Sequence, residues 1–530
     1  METRRYPIGI QTFSEIIRGG YVYIDKTDLV WQLAKYAKFM FLSRPRRFGK
    51  SLLTTTLESY FQGEKELFEG LKIMSLEQEW TKYPVFHLDL SICKAQATAD
   101  DLRNRLMLML DDFTDAYGRK DTEVTPGGLI NGLIRRAYEK TGRQVVVLID
   151  EYDAPLLEVL HEQETLEGKR MVMQEFYQPL KANERYIKFC FITGITKFSQ
   201  LSIFSTINNL TNVTMDAAFA TICGITEQEL TTALREDIAR LAQANEMTYD
   251  EMHTKLKLKY DGYHFSEQSD EVYNPFSLIK AFQQRKLGNY WFESGTPTFL
   301  IRQMQHFNTD ITSLDSLEAF ATDFDQPTEN MKSALPLLYQ SGYLTIKDYD
   351  RETEIYTLAI PNQEVRIGYM EGLLPVYTGL ATRDVKAGFA LKFWRALKNH
   401  DADQAMREMQ TYMEGIPYVE GFKQKLQEAA TAEGFYEYTM YLIFSMLNFY
   451  VRTQVKCAGG RADMVVWMPD TVYVFELKVS GTAQDALRQI DDRHYAIPYR
   501  ATDRQVVKVG VKFDPATRVP TDWAIESNES

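Results

Sequence analysis

The chain has 530 residues, 45% of them apolar and 25% charged, and a formal net charge of −13. That acidic balance excludes a protein that coats nucleic acid with its whole surface, while leaving room for a local basic groove. No apolar run reaches the roughly 18 residues of a membrane span, the start METRRYPIGIQTF has no apolar signal core, and the four cysteines (Cys93, Cys190, Cys223, Cys457) have no metal-ligand spacing, so a cytoplasmic protein with no membrane partner is expected.

At roughly 100–200 residues per domain, the length predicts about three domains. The first region alternates compact apolar runs with helical stretches. KFMFLS (38–43), VFHLDL (85–90), VVVLID (145–150) and FCFITGI (189–195) read as buried parallel strands. Helical patterns such as Ala99–Tyr117 separate them, which predicts an α/β sheet with helices on both faces. FATICGIT (219–226) is a candidate fifth strand. From Thr226 the pattern turns helical, with Thr226 and Glu229 spaced as a capping box. Residues 335–362 read as a helix and two strands joined by the charged turn DYDRETE, compatible either with a winged-helix-like module or with a helical lid carrying a surface hairpin. Residues 363–430 are mostly helical. From Glu433 the pattern is a helix, strands, a helix and more strands. The expected boundaries are therefore 1–225, 226–424 and 425–530.

The stretch SRPRRFGKS lies between a strand and a helix, the position of a phosphate-binding loop. There, backbone N–H groups and a helix N-terminus wrap phosphates, a lysine reaches the β/γ-phosphates and a hydroxyl helps hold Mg²⁺. Gly49, Lys50 and Ser51 supply those parts. Arg44 stands where the general pattern has its first glycine. Downstream, VVVLIDEYD ends a buried strand in Asp150, suited to Mg²⁺, and Glu151, suited to polarising an attacking water. Together these motifs predict ATP binding. Thr193, Thr196 and Lys197 are candidate γ-phosphate sensors, with ordinary strand-end polarity as the alternative, and Arg46, Arg47 and Arg185 are candidate charge-stabilising arginines.

In the last region, ADMVVWM and TVYVFELKV flank the turn signal Pro469–Asp470. A hairpin centred there places Asp463 opposite Glu476, with Lys478 two residues on and on the same face. Two carboxylates and a lysine on an apolar hairpin are costly unless paired or bound to a cation. Asp463 and Glu476 are hard oxygen ligands suited to Mg²⁺ or Mn²⁺. Gln489, on the following helical segment, is placed to face them. The alternative is a solvated E-L-K strand with Asp463 capping a turn.

YPIGIQTFSEIIRGGYVYIDKT, SRPRRFGKS, LIDEYDAPL and FITGITKFS together resemble the AAA-ATPase-like family, whose members typically carry a C-terminal nuclease-like domain of the PD-(D/E)XK superfamily. The resemblance covers most of the chain. It implies that RPRRFGKS is the family's own form of the loop and that Tyr23–Thr27 lies near the nucleotide. It also implies a nuclease core of Asp463, Glu476 and Lys478, with Glu433 as the acidic residue of the preceding helix and Glu437 as second choice. Ala462 replaces the superfamily's usual proline. The fold class expected is α/β: a P-loop ATPase parallel sheet, a helical or winged-helix-like middle region and an α/β nuclease-like domain. The function expected is an ATPase that regulates a metal-dependent nuclease acting on DNA or RNA. The alternative is a nucleotide-switched sensor that binds nucleic acid or protein with an inactive nuclease fold. A homo-oligomer is compatible with either.

Overall fold

A computed structural model gives the structure over residues 4–94, 97–157, 159–160, 162–197, 209–294, 298–307, 309–311, 313–327, 331–378, 383–414, 432–446, 450–457, 460–500, 502–514, 517 and 519–527. The chain divides into two compact units. One comprises Met1–Trp291 with Glu318–Asn362, and the other Phe292–Leu317 with Gln363–Ser530. Residues 226–424, expected as one middle region, thus contribute to both units.

The first unit is built on five strands: β1 (Phe39–Ser43), β2 (Val85–Asp89), β3 (Val145–Asp150), β4 (Ile187–Gly194) and β5 (Thr211–Asn212). They form a parallel sheet in the order β2-β3-β4-β1-β5. Every residue of β1 and β3 is buried, as continuous apolar runs in a parallel sheet require. The helices Ala99–Asp111, Pro126–Thr141 and Gln163–Ala182 pack Leu102, Leu106, Leu129, Leu133 and Phe176 into one core with Phe39, Phe86 and Val147. The helix Lys50–Phe61 closes against the sheet through Phe61, whose ring stacks on Phe189 at 5.2 Å.

The fifth strand is not 219–226. Asp216 caps a 3-10 turn at Ala217–Phe219 by accepting from the Ala218 N–H, which starts that apolar run as a turn. Its far end, β6 (Ile225–Thr226), instead pairs antiparallel with β7 (Val272–Tyr273). The Thr226–Glu229 capping box is formed and opens the helix Glu227–Ala233. Further on, β8 (Leu317–Ala319), β9 (Thr345–Asp350) and β10 (Ile355–Ala359) make a small sheet in the order β8-β10-β9. The helix Leu335–Gln340 precedes its antiparallel β9–β10 hairpin, as the sequence predicts.

The second unit carries the helix Ala432–Met446 and five strands: β11 (Tyr450–Cys457), β12 (Gly460–Trp467), β13 (Thr471–Lys478), β14 (Gln505–Phe513) and β15 (Pro520–Ser527). They lie in that order in a mixed sheet, parallel only between β13 and β14. The crossover between those two parallel strands contains the helix Ala483–Asp492, opened by a Thr482–Asp485 capping box. No helix among the described residues is long and apolar enough to cross a membrane.

Candidate functional site

At the carboxyl ends of the parallel strands, where open α/β sheets bind ligands, the chain leaves β1 into the SRPRRFGKS loop. Gly49 holds φ 90, and a Cβ placed on it would meet nothing within 4 Å, so the backbone is open there to close approach. The helix Lys50–Phe61 starts immediately after it. The Lys50 ammonium is buried and donates to the carbonyls of Arg44 (3.0 Å) and Pro45 (3.1 Å) within its own loop. Burial lowers its pKa, opposed by the negative charges of Asp150, Glu151 and Asp153. Burial likewise raises the Asp150 carboxyl, opposed chiefly by a hydrogen bond from Ser51 and by Lys50. Ser51 therefore lies beside Asp150. Glu151 sits at φ 47 just past β3, with its carboxyl raised by burial despite Lys50.

The loop arginines divide. Arg44 is 1% exposed, and its guanidinium donates to the carbonyls of Ser43 (2.9 Å), Thr214 (2.8 Å) and Phe219 (3.1 Å) and lies 4.2 Å from the Phe265 ring centroid. It fastens the loop to the β5 side of the sheet. Arg47 donates to the Tyr290 carbonyl at 2.7 Å and stacks 3.9 Å over Phe276. The expectation that Arg47 contacts phosphate is revised, because its guanidinium face and a donor are engaged there. Arg46 is exposed. Arg185 precedes the amino end of β4, opposite to the end that carries the loop, so it is no phosphate ligand in this unit.

The sensor candidates are also committed. Thr193 donates to the Leu42 carbonyl at 2.7 Å. Thr196 donates its N–H and its hydroxyl to Asp153 Oδ2, each at 2.7 Å. Lys197 pairs with Asp325 at 2.8 Å. Asp153 and Asp89 were not anticipated from the sequence. Asp89 is the register partner of Asp150 across β2 and β3, so an acid ending a neighbouring parallel strand was the available signal. Asp153 fits against Gly194, where a Cβ would lie 2.4 Å from Asp153 Oδ1. Beside Gly49 is an apolar cavity of about 120 Å³, lined by Val22, Ile24, Leu52, Ile225 and Ile279 among others. Tyr23 and Lys26 also line it.

In the second unit, the β12–β13 pairing of Met464 with Phe475 and Val465 with Val474 sets the register the turn predicts. One step on, Asp463 Oδ2 accepts the Leu477 N–H at 2.8 Å. Glu476 is 2% exposed, and its Oε2 has no hydrogen-bond partner among the described residues. Burial first, and the charge of Asp463 second, push the Glu476 carboxyl well up. Lys478 donates to Glu476 Oε1 at 3.0 Å and to Gln489 Oε1 at 2.6 Å. Asp463, Glu476, Lys478 and Gln489 are thus brought together. Glu433 lies on the helix Ala432–Met446, but its side chain is outside the described residues. Glu437 of that helix is near: burial, with Asp463 adding, pushes its carboxyl up to about 7, opposed chiefly by the hydrogen bond from Gln454. An open cleft of about 540 Å³ adjoins Gln489, lined by Gly460, Arg488, Arg493, Tyr495 and the acids Asp485 and Asp492.

The donor set fits a divalent cation. A buried partnerless carboxylate oxygen beside a second carboxylate is a hard-oxygen site with an electrostatic deficit. Among the described residues no three His, Cys, Asp or Glu side chains cage an ion by themselves.

These two sites define a phosphate-loop protein of the ATPase class that also carries a nuclease-like α/β domain. Residues 7–204 match the family described as predicted AAA-ATPase, and residues 431–523 match the PD-(D/E)XK nuclease superfamily. The "Uncharacterized protein in vnfD 5'region" of Azotobacter chroococcum mcd 1 is 32% identical over 536 residues, spanning 99% of this chain and 100% of that protein. The chain belongs to this AAA-ATPase-like family.

Proposed function

We propose that the protein binds and hydrolyses ATP in its first unit and uses that cycle to regulate metal-dependent cleavage of nucleic-acid phosphodiesters in its second. In the first unit, Gly49 and the helix N-terminus receive the phosphates. Lys50 exchanges its two loop carbonyls for phosphate oxygens, Ser51 and Asp150 hold Mg²⁺, and Glu151 takes the proton of the attacking water. Arg46 is the loop arginine left to meet phosphate. The cavity beside Gly49 takes the base, because an apolar slot next to a phosphate cradle suits a planar ring.

The observation that carries the nuclease reading is the buried, partnerless Oε2 of Glu476 beside Asp463. Asp463 and Glu476 would hold Mg²⁺ or Mn²⁺. The cation supplies a more acidic water and charge stabilisation at the phosphoryl group. Lys478 balances negative charge at the scissile phosphate, and Gln489 holds Lys478 in place. Arg488 and Arg493, on the adjoining cleft, supply backbone contacts to DNA or RNA.

A second reading has its own support. The Lys478–Glu476 ion pair already compensates part of the charge, as in a fold that binds nucleic acid or protein without cutting it. One screen separates the readings. Wild type, Lys50→Ala and Lys478→Ala are assayed for Mg²⁺- or Mn²⁺-dependent cleavage of DNA and RNA, with and without ATP. The nuclease reading expects Lys478→Ala to lose cleavage and retain ATP binding, and Lys50→Ala to lose ATP binding and the ATP dependence of cleavage. Cleavage by Lys478→Ala at the wild-type rate sinks it, as does the absence of cleavage by wild type under every condition.

A further inference from the structure

Gln454 is the only non-glycine residue within a strand that holds a left-handed backbone among the described residues, at φ 50. The β11–β12 register runs unchanged on either side of it, from Thr453 opposite Met464 to Val455 opposite Ala462. Gln454 therefore lies across from Asp463, whose other neighbouring strand carries Glu476. A glutamine in that conformation is disfavoured by its own Cβ. Such a departure persists only where the surroundings hold it, and it is commonly found at functional sites. The Gln454 amide Nε2 donates to Glu437 Oε2 at 2.8 Å, while Glu437 Oε1 is buried with no hydrogen-bond partner among the described residues.

We propose that Gln454 is a positioning residue that clamps one oxygen of Glu437 so that the other faces the hydration shell of the divalent cation held by Asp463 and Glu476. This rests on the metal-site reading above. Glu437 then acts on the ion through water instead of as a direct ligand. That agrees with the preference of Mg²⁺ for keeping its waters. Outer partners of this kind orient the groups around a metal, and their loss costs about 10–100-fold in affinity.

The test is Mn²⁺ affinity of the full chain, read by calorimetry or by the free-Mn²⁺ electron paramagnetic resonance signal, beside thermal melting. Gln454→Asn keeps a residue type that tolerates the left-handed backbone but is one methylene too short to reach Glu437. Gln454→Gly removes both the amide and the backbone conflict. Both variants should bind Mn²⁺ about tenfold more weakly than wild type, and Gln454→Gly should melt no lower than Gln454→Ala. On a Glu437→Gln background, Gln454→Asn should weaken binding no further, because its effect passes through that carboxylate. Wild-type Mn²⁺ affinity in Gln454→Asn and Gln454→Gly overturns the inference and leaves the metal site standing. An additional tenfold loss in the double variant also overturns it, by showing that Gln454 acts independently of Glu437. Absence of Mn²⁺ binding by wild type overturns both the inference and the metal-site reading.

Discussion

The two sites solve opposite electrostatic problems on opposite kinds of sheet. In the first unit the site lies at the ends of parallel strands, where backbone N–H groups and a helix N-terminus make the cradle and one lysine sits among acids. That lysine is already satisfied by two loop carbonyls, so phosphate binding there is an exchange of partners. In the second unit the site lies along the paired strands of a hairpin and is made of side chains. There the carboxylates are left short: Glu476 and Glu437 each keep a buried oxygen without a hydrogen-bond partner among the described residues. A self-satisfied cation site is stable when empty, whereas an under-satisfied anion site is relieved by a cation.

The largest effect expected of this contrast is kinetic. Glu151→Gln keeps the shape of the first site and removes the carboxylate proposed as its general base. ATP hydrolysis, followed by phosphate release, should fall about 10²–10⁴-fold, while ATP affinity is retained. Hydrolysis at the wild-type rate would assign the proton transfer to another residue of the acidic ring, with Asp89 and Asp153 the nearest choices.

Next is the strut beneath the loop. Arg44→Met replaces a buried guanidinium that serves three carbonyls, and burial has pushed the pKa of this group down to about 10. Leaving those carbonyls unpaired should cost about 3 kcal/mol or more, read as a lower urea midpoint in the absence of nucleotide. If Arg44→Met instead unfolds at the wild-type midpoint but binds ATP poorly, then Arg44 serves phosphate and not the framework.

The second site should report its unsatisfied charge through pH. Glu437 is raised from 4.5 to about 7 in the folded chain, and Glu476 shifts the same way. Between those values the folded state holds protons that the unfolded state has released. These groups therefore favour folding near pH 5, and that contribution is lost as pH rises through about 7. A cation must displace those protons, so Mn²⁺ affinity should be about tenfold weaker at pH 6 than at pH 8. Glu437→Gln should flatten part of both trends. A pH-independent Mn²⁺ affinity would place the ion elsewhere.

What was legible in the sequence follows the same division. β1, β3 and most of β4 showed as apolar runs because both their faces are buried, whereas the edge strand β2 alternates buried and half-buried residues. The Asp463–Glu476 register was readable because a hairpin's turn fixes every pair beyond it. Asp89 ends its strand as Asp150 does, and only the long-range alignment of the two strands was hidden; Asp153 reaches the site through loop folding, which no local pattern records. The tie of Arg44 to Thr214 and Phe219 spans about 170 residues of chain, and the Gln454–Glu437 contact depends on a backbone conformation that glutamine does not announce. The apolar stretch 219–226 misled because Asp216 caps a turn at its start.

The smallest effect tests whether the loop's remaining charges serve structure or phosphate. Arg47 holds φ 66, donates to the Tyr290 carbonyl and stacks on Phe276. Arg47→Ala gives up a cation–π contact of about 0.5–2 kcal/mol and keeps the backbone conflict. Arg47→Gly gives up the same contact but relieves that conflict, since glycine adopts positive φ without penalty. The glycine variant should therefore unfold at a higher urea concentration than the alanine variant, by about 1 kcal/mol in stability. Both should bind ATP within about twofold of wild type, which is ~0.4 kcal/mol, if Arg47 is an anchor. A tenfold loss of ATP affinity in both would return Arg47 to the phosphates and imply that binding draws its guanidinium away from Phe276.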